Sequence, residues 1–132
     1  MIGDEELGRV DFLVPIPLHW RRKWSRSYNQ SELIAREAMR ILHPHSSSLH
    51  LALDLVRIRH TQPQTSLAAS HRLINLHNAF AVCRGVDLTG KHICLIDDVT
   101  TTGTTLRVAA HTLKKAGATR VSAAVLAVAA ND

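Results

Sequence analysis

Apolar and polar positions alternate along the chain in a strand-then-helix rhythm. Residues 10–16, VDFLVPI, form a largely apolar run closed by Pro17, the pattern of a buried strand. Asn29-Gln-Ser-Glu32 then offers a start resembling a capping box, and Leu33, Ile34, Ala38, Ile41 and Leu42 recur on one helical face until His43-Pro44 stops it. Residues 51–58, LALDLVRI, predict a second strand, followed by some twenty polar and irregular residues with a short helical pattern near 68–76. Phe80 to Val82 predicts a short strand and Val86 to Lys91 a turn.

The last third is sharper. Ile93-Cys-Leu-Ile96 predicts a buried strand ending abruptly at Asp97-Asp98. A Thr/Gly loop leads to a helix with Leu106, Ala109, Ala110, Leu113 and Ala116 inward, Gly117 at its end and Lys114 and Lys115 at the negative pole of its dipole. Residues 121–129 predict a final strand. Fully apolar strands alternating with helices imply an α/β fold, a mostly parallel sheet flanked by helices. At 132 residues, one domain over 1–132 is expected.

Composition narrows the classes. The longest apolar run, Ala123 to Ala130, is far short of the roughly 20 residues of a spanning helix. The start, MIGDEELG, is acidic where a secretory signal is basic, so a cytoplasmic protein is expected. Cys83 and Cys94 sit in apolar stretches without CxxC spacing and read as buried, reduced thiols. The nine histidines are scattered, with no HxxxH or HExxH pair for a metal.

Charge adds a clue. Ten Lys or Arg lie between Trp20 and Arg84 against Glu32, Glu37 and Asp54, a stripe that attracts nucleic acid or a phosphorylated small molecule. Two Trp, one Tyr and two Phe are few for base stacking, which disfavours a single-strand binder.

The chemistry concentrates in Ile93-Cys-Leu-Ile-Asp-Asp-Val-Thr-Thr-Thr-Gly-Thr-Thr105. Two adjacent acids at the C-terminal end of a buried strand stand where open α/β sheets bind ligands, and are costly there unless cations or hydroxyls meet them. The small hydroxylated residues after them reach a helix start, where amides, hydroxyls and the dipole converge on a phosphate. Together they describe a ribose-5-phosphate site. An ordinary strand–turn–helix junction with threonine caps accounts for one acid and one threonine, and poorly for two acids and five threonines.

Residues 93–105 resemble the phosphoribosyl-pyrophosphate (PRPP) signature of type I phosphoribosyltransferases. With VPIPLHWRRKWSRSYNQSELIA (14–35), RIRHTQPQTSL (57–67) and HRLINLHNAFAV (71–82), the chain resembles the ComF/GntX-like competence family over most of its length. The resemblance implies that Asp97 and Asp98 hold the ribose hydroxyls, directly or through Mg²⁺, and that Val99, Thr100, Thr101, Thr102, Gly103, Thr104 and Thr105 wrap the 5-phosphate. It places Arg21, Arg22, Lys23 and Arg26 against pyrophosphate, where cations and Mg²⁺ stabilise the departing charge; a solvated surface run is the alternative for these four. Arg57, Arg59, Gln62, Gln64 and Thr65 fall where the superfamily often has a mobile loop over the site. Arg72 and Asn75 match the subgroup, and capping or packing explains them equally well.

Two departures qualify the resemblance. Members acting on hypoxanthine or guanine usually carry Asp at the position of Thr101, so its absence argues against that substrate class. A cysteine-rich N-terminal extension common in the family is missing here, which implies a natural short form or part of a longer chain. Gly85-Val-Asp-Leu-Thr-Gly90-Lys91 imitates a P-loop, but His92 replaces the Mg²⁺-binding Ser/Thr and the segment precedes a strand, so it reads as a turn. A receiver domain would need its acid pair after the first strand, which is not the spacing found.

The functional expectation is PRPP binding with Mg²⁺ and transfer of the 5-phosphoribosyl group to an unidentified nucleophilic acceptor. The alternative is a non-catalytic PRPP- or nucleotide-sensing module, or a DNA-uptake module binding nucleic acid through its basic face. A homodimer is compatible with either reading.

Overall fold

A computed structural model describes residues 9–17, 29–58, 79–83, 85–100 and 102–129. The central sheet has four parallel strands in the order β2-β1-β5-β6, with β1 Phe12–Pro15, β2 His50–Leu51, β5 His92–Thr100 and β6 Arg120–Val128. Two further strands, β3 Leu55–Arg57 and β4 Phe80–Val82, form a separate antiparallel ribbon. Helix α1 spans Gln30–Leu42 and α2 spans Thr104–Lys115.

The period-two pleat of β5 divides the core. Ile93 and Leu95 join Val14 of β1 and Val108, Ala109 and Leu113 of α2 in one buried cluster. Cys94 and Ile96 join Leu13 of β1 and Ala35 of α1 in the other. The helices therefore cover opposite faces, as the apolar strands predict. Parallel β1 ends with Pro15 opposite Ile96 of β5, one residue before Asp97.

Both helix ends follow local rules. Asn29 caps α1, its Oδ1 accepting from the Ser31 amide at 3.0 Å, while Glu32 pairs with Arg36. The helix stops at Leu42, and His43–His45 continue as a single 3-10 turn around Pro44. At the end of α2, Gly117 adopts φ 115°, its amide reaching Lys114 O at 3.0 Å, and the Ala118 amide reaches Leu113 O at 3.1 Å. This paired Schellman closure needs the left-handed conformation that glycine accommodates.

Several sequence expectations require correction. The 51–58 run divides between two sheets: β2 ends after pairing with Phe12 and Leu13, and Leu55–Arg57 pairs with a strand that arrives 25 residues later, Arg57 opposite Phe80. On α1, Leu33 and Ile41 are 48% and 53% exposed, while Ser31 and Ala35 are buried. Small side chains let the helix approach the sheet closely, so the inward face is centred on 31, 35, 38 and 42 instead of on the bulkiest residues. Strand β5 also continues through the acids to Thr100, because β6 keeps pairing with it, Asp97 opposite Val125 and Thr100 opposite Val128.

Cys94 is buried, and burial pushes its thiol pKa up, with a hydrogen bond involving Ser122 opposing. Cys83 is exposed, against expectation, at the end of the short β4 ribbon. Residues 86–91 contain no strand or helix, and Asp87 Oδ1 accepts the Thr89 amide at 2.9 Å, the side-chain-stabilised turn expected there. The helical pattern near 68–76 lies outside the described residues. Among the described residues, no helix is long and apolar enough to cross a membrane.

Candidate functional site

Asp97 stands where β5 leaves the core, its side chain only 8% exposed. Its Oδ1 accepts the Asp98 amide at 2.9 Å and the Ser31 hydroxyl at 3.2 Å. Asp98 is less buried, and its Oδ1 accepts the Val99 amide at 2.8 Å. Among the described residues, no Lys or Arg forms an ion pair with either carboxylate.

This environment works against charge on Asp97. Burial pushes its pKa above the ordinary aspartate range, and the neighbouring Asp98 side chain adds to the rise. The hydrogen bonds from the Asp98 amide and Ser31 pull the other way. A buried carboxylate beside a second carboxylate favours whatever brings positive charge or hydroxyl donors to it.

The threonine loop turns the strand into α2. Thr100 Oγ1 accepts the Gly103 amide at 3.1 Å, and the Thr102 and Thr104 hydroxyls meet at 2.8 Å. Gly103 occupies the N-cap position at φ 78°, with nothing within 4 Å of where a Cβ would project. The backbone turns there because glycine carries no penalty for positive φ. The Thr105 and Leu106 amides in the first turn of α2 have no hydrogen-bond partner among the described residues. First-turn amides, clustered hydroxyls and the positive end of the dipole together suit an anion.

The end of β1 and Asp97 of β5 are tied together through α1. Asn29 Nδ2 donates to Ile16 O at 3.0 Å, while its Oδ1 caps Ser31, whose hydroxyl holds Asp97. Two residues beyond the end of β1, Pro17 O accepts from Arg57 Nε at 2.8 Å, and the Arg57 guanidinium lies 4.8 Å from the centre of the Phe80 ring.

The phosphoribosyl transferase domain family matches residues 33–132. The chain belongs to that family. Within the phosphoribosyltransferases it is ComF-like. Competence protein F of Haemophilus influenzae is 34% identical over 114 residues, covering 85% of this chain and 48% of that protein. DNA utilization protein YhgH of Escherichia coli K12 is 38% identical over 111 residues, covering 84% of this chain and 46% of that protein. This phosphoribosyltransferase-type chain therefore spans about half the length of those curated relatives. The solved structure of a purine phosphoribosyltransferase from Pyrococcus horikoshii matches with a TM-score of 0.53 at 21% identity, over 91% of this chain and 62% of that one, a likeness of fold.

Within this phosphoribosyltransferase fold, Asp97, Asp98, Val99 and Thr100 lie in β5, and Thr102, Gly103, Thr104 and Thr105 lie at the start of α2. Thr101 lies outside the described residues, as do Arg21, Arg22, Lys23, Arg26, Arg59, Gln62, Gln64, Thr65, Arg72 and Asn75. Arg57 is the last residue of strand β3. Ser31 and Asn29 received no site role from the sequence. The available signal was a serine in the first turn of α1, four residues before Ala35 on the same helical face.

Proposed function

We propose that the protein binds PRPP along the C-terminal edge of the sheet and transfers its 5-phosphoribosyl group to a nucleophilic acceptor. The observation carrying this reading is the pairing of a double acid, of which Asp97 is buried, with a hydroxyl-rich helix start only a few residues later. One group suits ribose hydroxyls and the other suits a 5-phosphate, and the chain joins them within a few residues.

In this reading the 132 residues act as one phosphoribosyltransferase-type domain in the cytoplasm. Asp97 and Asp98 hold the ribose hydroxyls or a bound Mg²⁺, and the residues from Val99 to Thr105 hold the phosphate. The donor set fits Mg²⁺, which favours carboxylate oxygens, keeps several waters and shares substrate phosphate oxygens. When bound, Mg²⁺ neutralises part of the pyrophosphate charge. The acceptor forms a bond to the ribose anomeric carbon as its bond to pyrophosphate oxygen breaks, and the acceptor's proton passes to solvent. Arg21, Arg22, Lys23 and Arg26 accept the charge that develops on pyrophosphate, while Arg59, Gln62, Gln64 and Thr65 close over the reactants. Orientation and electrostatics suffice, with no covalent protein intermediate.

Calorimetry with PRPP, with and without Mg²⁺, tests the site directly. Mg²⁺-dependent binding is expected in the wild type, weakened at least tenfold in Asp97→Asn/Asp98→Asn by loss of charged hydrogen bonds of about 1.5–3 kcal/mol each. A folded wild type that ignores PRPP overturns the reading.

The names of the two relatives, competence protein F and DNA utilization protein YhgH, favour a second reading: a module associated with nucleic acid. The basic stripe would supply the contacts, and DNA affinity would then fall steeply with salt. Affinity for DNA that persists in Asp97→Asn/Asp98→Asn while PRPP has no effect supports this alternative.

A further inference from the structure

We infer that Asn29 and Ser31 are positioning residues that set how Asp97 meets the ribose hydroxyls. The inference rests on the proposed sugar-phosphate site and adds to it a brace outside the acidic strand and threonine loop. Ser31 is only 4% exposed, yet its hydroxyl is spent neither on its own helix nor on solvent. It crosses to Asp97 Oδ1 at 3.2 Å, a contact between residues 66 positions apart. The Asp98 amide reaches the same oxygen at 2.9 Å. Two donors on Oδ1 restrain the carboxyl group, and neither of them occupies Oδ2.

Ser31 can do this only if the first turn of α1 is itself fixed. Asn29 supplies that restraint with both ends of its amide. Oδ1 accepts the Ser31 amide at 3.0 Å, and Nδ2 donates to Ile16 O at 3.0 Å, just beyond β1. The chain of contacts thus runs from the end of β1, through the helix cap, to Asp97 within β5. A cap alone requires an acceptor at position 29, which serine or aspartate supplies equally well. The donor half of asparagine, and a buried hydroxyl two residues later, are unnecessary for capping and are accounted for by the tie to Asp97.

Hydroxyl recognition provides a readout separate from stability. Affinities for ribose 5-phosphate and 2-deoxyribose 5-phosphate are measured with Mg²⁺ in the wild type, Ser31→Ala and Asn29→Ser, beside thermal midpoints without ligand. Asn29→Ser keeps the cap acceptor and removes the donor to Ile16. Glu32→Gln, which alters an exposed ion pair on the same turn, is the control. The expected result is a clear wild-type preference for the ribose form, reduced about tenfold in both brace variants and unchanged in the control, as loss of a hydrogen bond to a charged group implies. Equal preference in wild type and Ser31→Ala overturns the positioning role and leaves the sugar-phosphate site intact. A parallel loss of both ligands together with a lowered midpoint also overturns it, since that is the signature of a general structural role. A folded wild type that binds neither sugar phosphate overturns the site reading itself, and the positioning role with it.

Discussion

At the scale of single residues, Asp97 sets function against stability. Its pKa is raised in the folded chain, chiefly by burial, so the folded state holds that proton more tightly than the unfolded state does. The resulting stabilisation is complete below the ordinary aspartate range and is lost as pH rises through the raised value. Denaturation of wild type and Asp97→Asn across pH 3–8 should therefore show the wild type losing ground to the variant as pH rises. Comparing the two chains isolates Asp97 from groups such as Asp87, whose pKa is lowered by hydrogen bonds with Thr89 and whose contribution has the opposite sign. At neutral pH the variant should melt higher without ligand and gain least from PRPP with Mg²⁺. An unchanged difference between the two chains across the range contradicts this account.

Among the elements, α2 carries two glycines with different jobs. Gly117 ends the helix at φ 115°, and a Cβ there would meet Thr89 Oγ1 at 3.2 Å and its backbone nitrogen at 3.3 Å. Gly117→Ala should destabilise the chain by about 1–2 kcal/mol or somewhat more, measured by urea denaturation, through both strain and the close contact. Gly103 begins the helix at φ 78° in open space, so Gly103→Ala carries the conformational cost without a steric one. Its stability loss should be the smaller of the two, while its effect on PRPP affinity should be the larger. Strand β6 shows the same separation along one edge. Leu126 and Val128 are 75% and 73% exposed, whereas Ile93 and Leu95 of β5 lie beneath α2. Leu126→Lys should change stability by less than about 0.5 kcal/mol, against roughly 2–5 kcal/mol for Leu95→Ala.

For the whole molecule, the net charge of +5 is not spread evenly over the fold. Arg36 and Arg40 lie on the exposed side of α1, paired with Glu32 and Glu37 at 3.4 and 2.6 Å. Such exposed pairs contribute little to stability and leave little unbalanced charge. The sequence concentrates its unbalanced cations in Arg21, Arg22, Lys23 and Arg26, directly after the β1 segment. Neutralising those four to Gln should weaken PRPP binding by at least tenfold and flatten its salt dependence, whereas Arg36→Gln/Arg40→Gln should leave both unchanged. Equal effects from the two sets would place the electrostatic attraction in the overall charge and remove the assignment of the four to pyrophosphate.

The amino-acid sequence by itself determined the parallel α/β character, the strand at 93–96, both helices and the family, because those depend on local periodicity, caps and a contiguous motif. The acids and threonines were legible for the same reason: they are neighbours in the chain. Tertiary structure decided what depends on partners distant in sequence. The ladder with β6 carries β5 past its apolar residues to Thr100, and pairing with Phe80–Val82 takes Leu55–Arg57 away from the main sheet. Close approach of α1 to the sheet selects Ser31 and Ala35 over Leu33 and Ile41 for burial. That same packing brings Ser31 to Asp97 across 66 residues, a contact that neither hydropathy nor motif spacing contains.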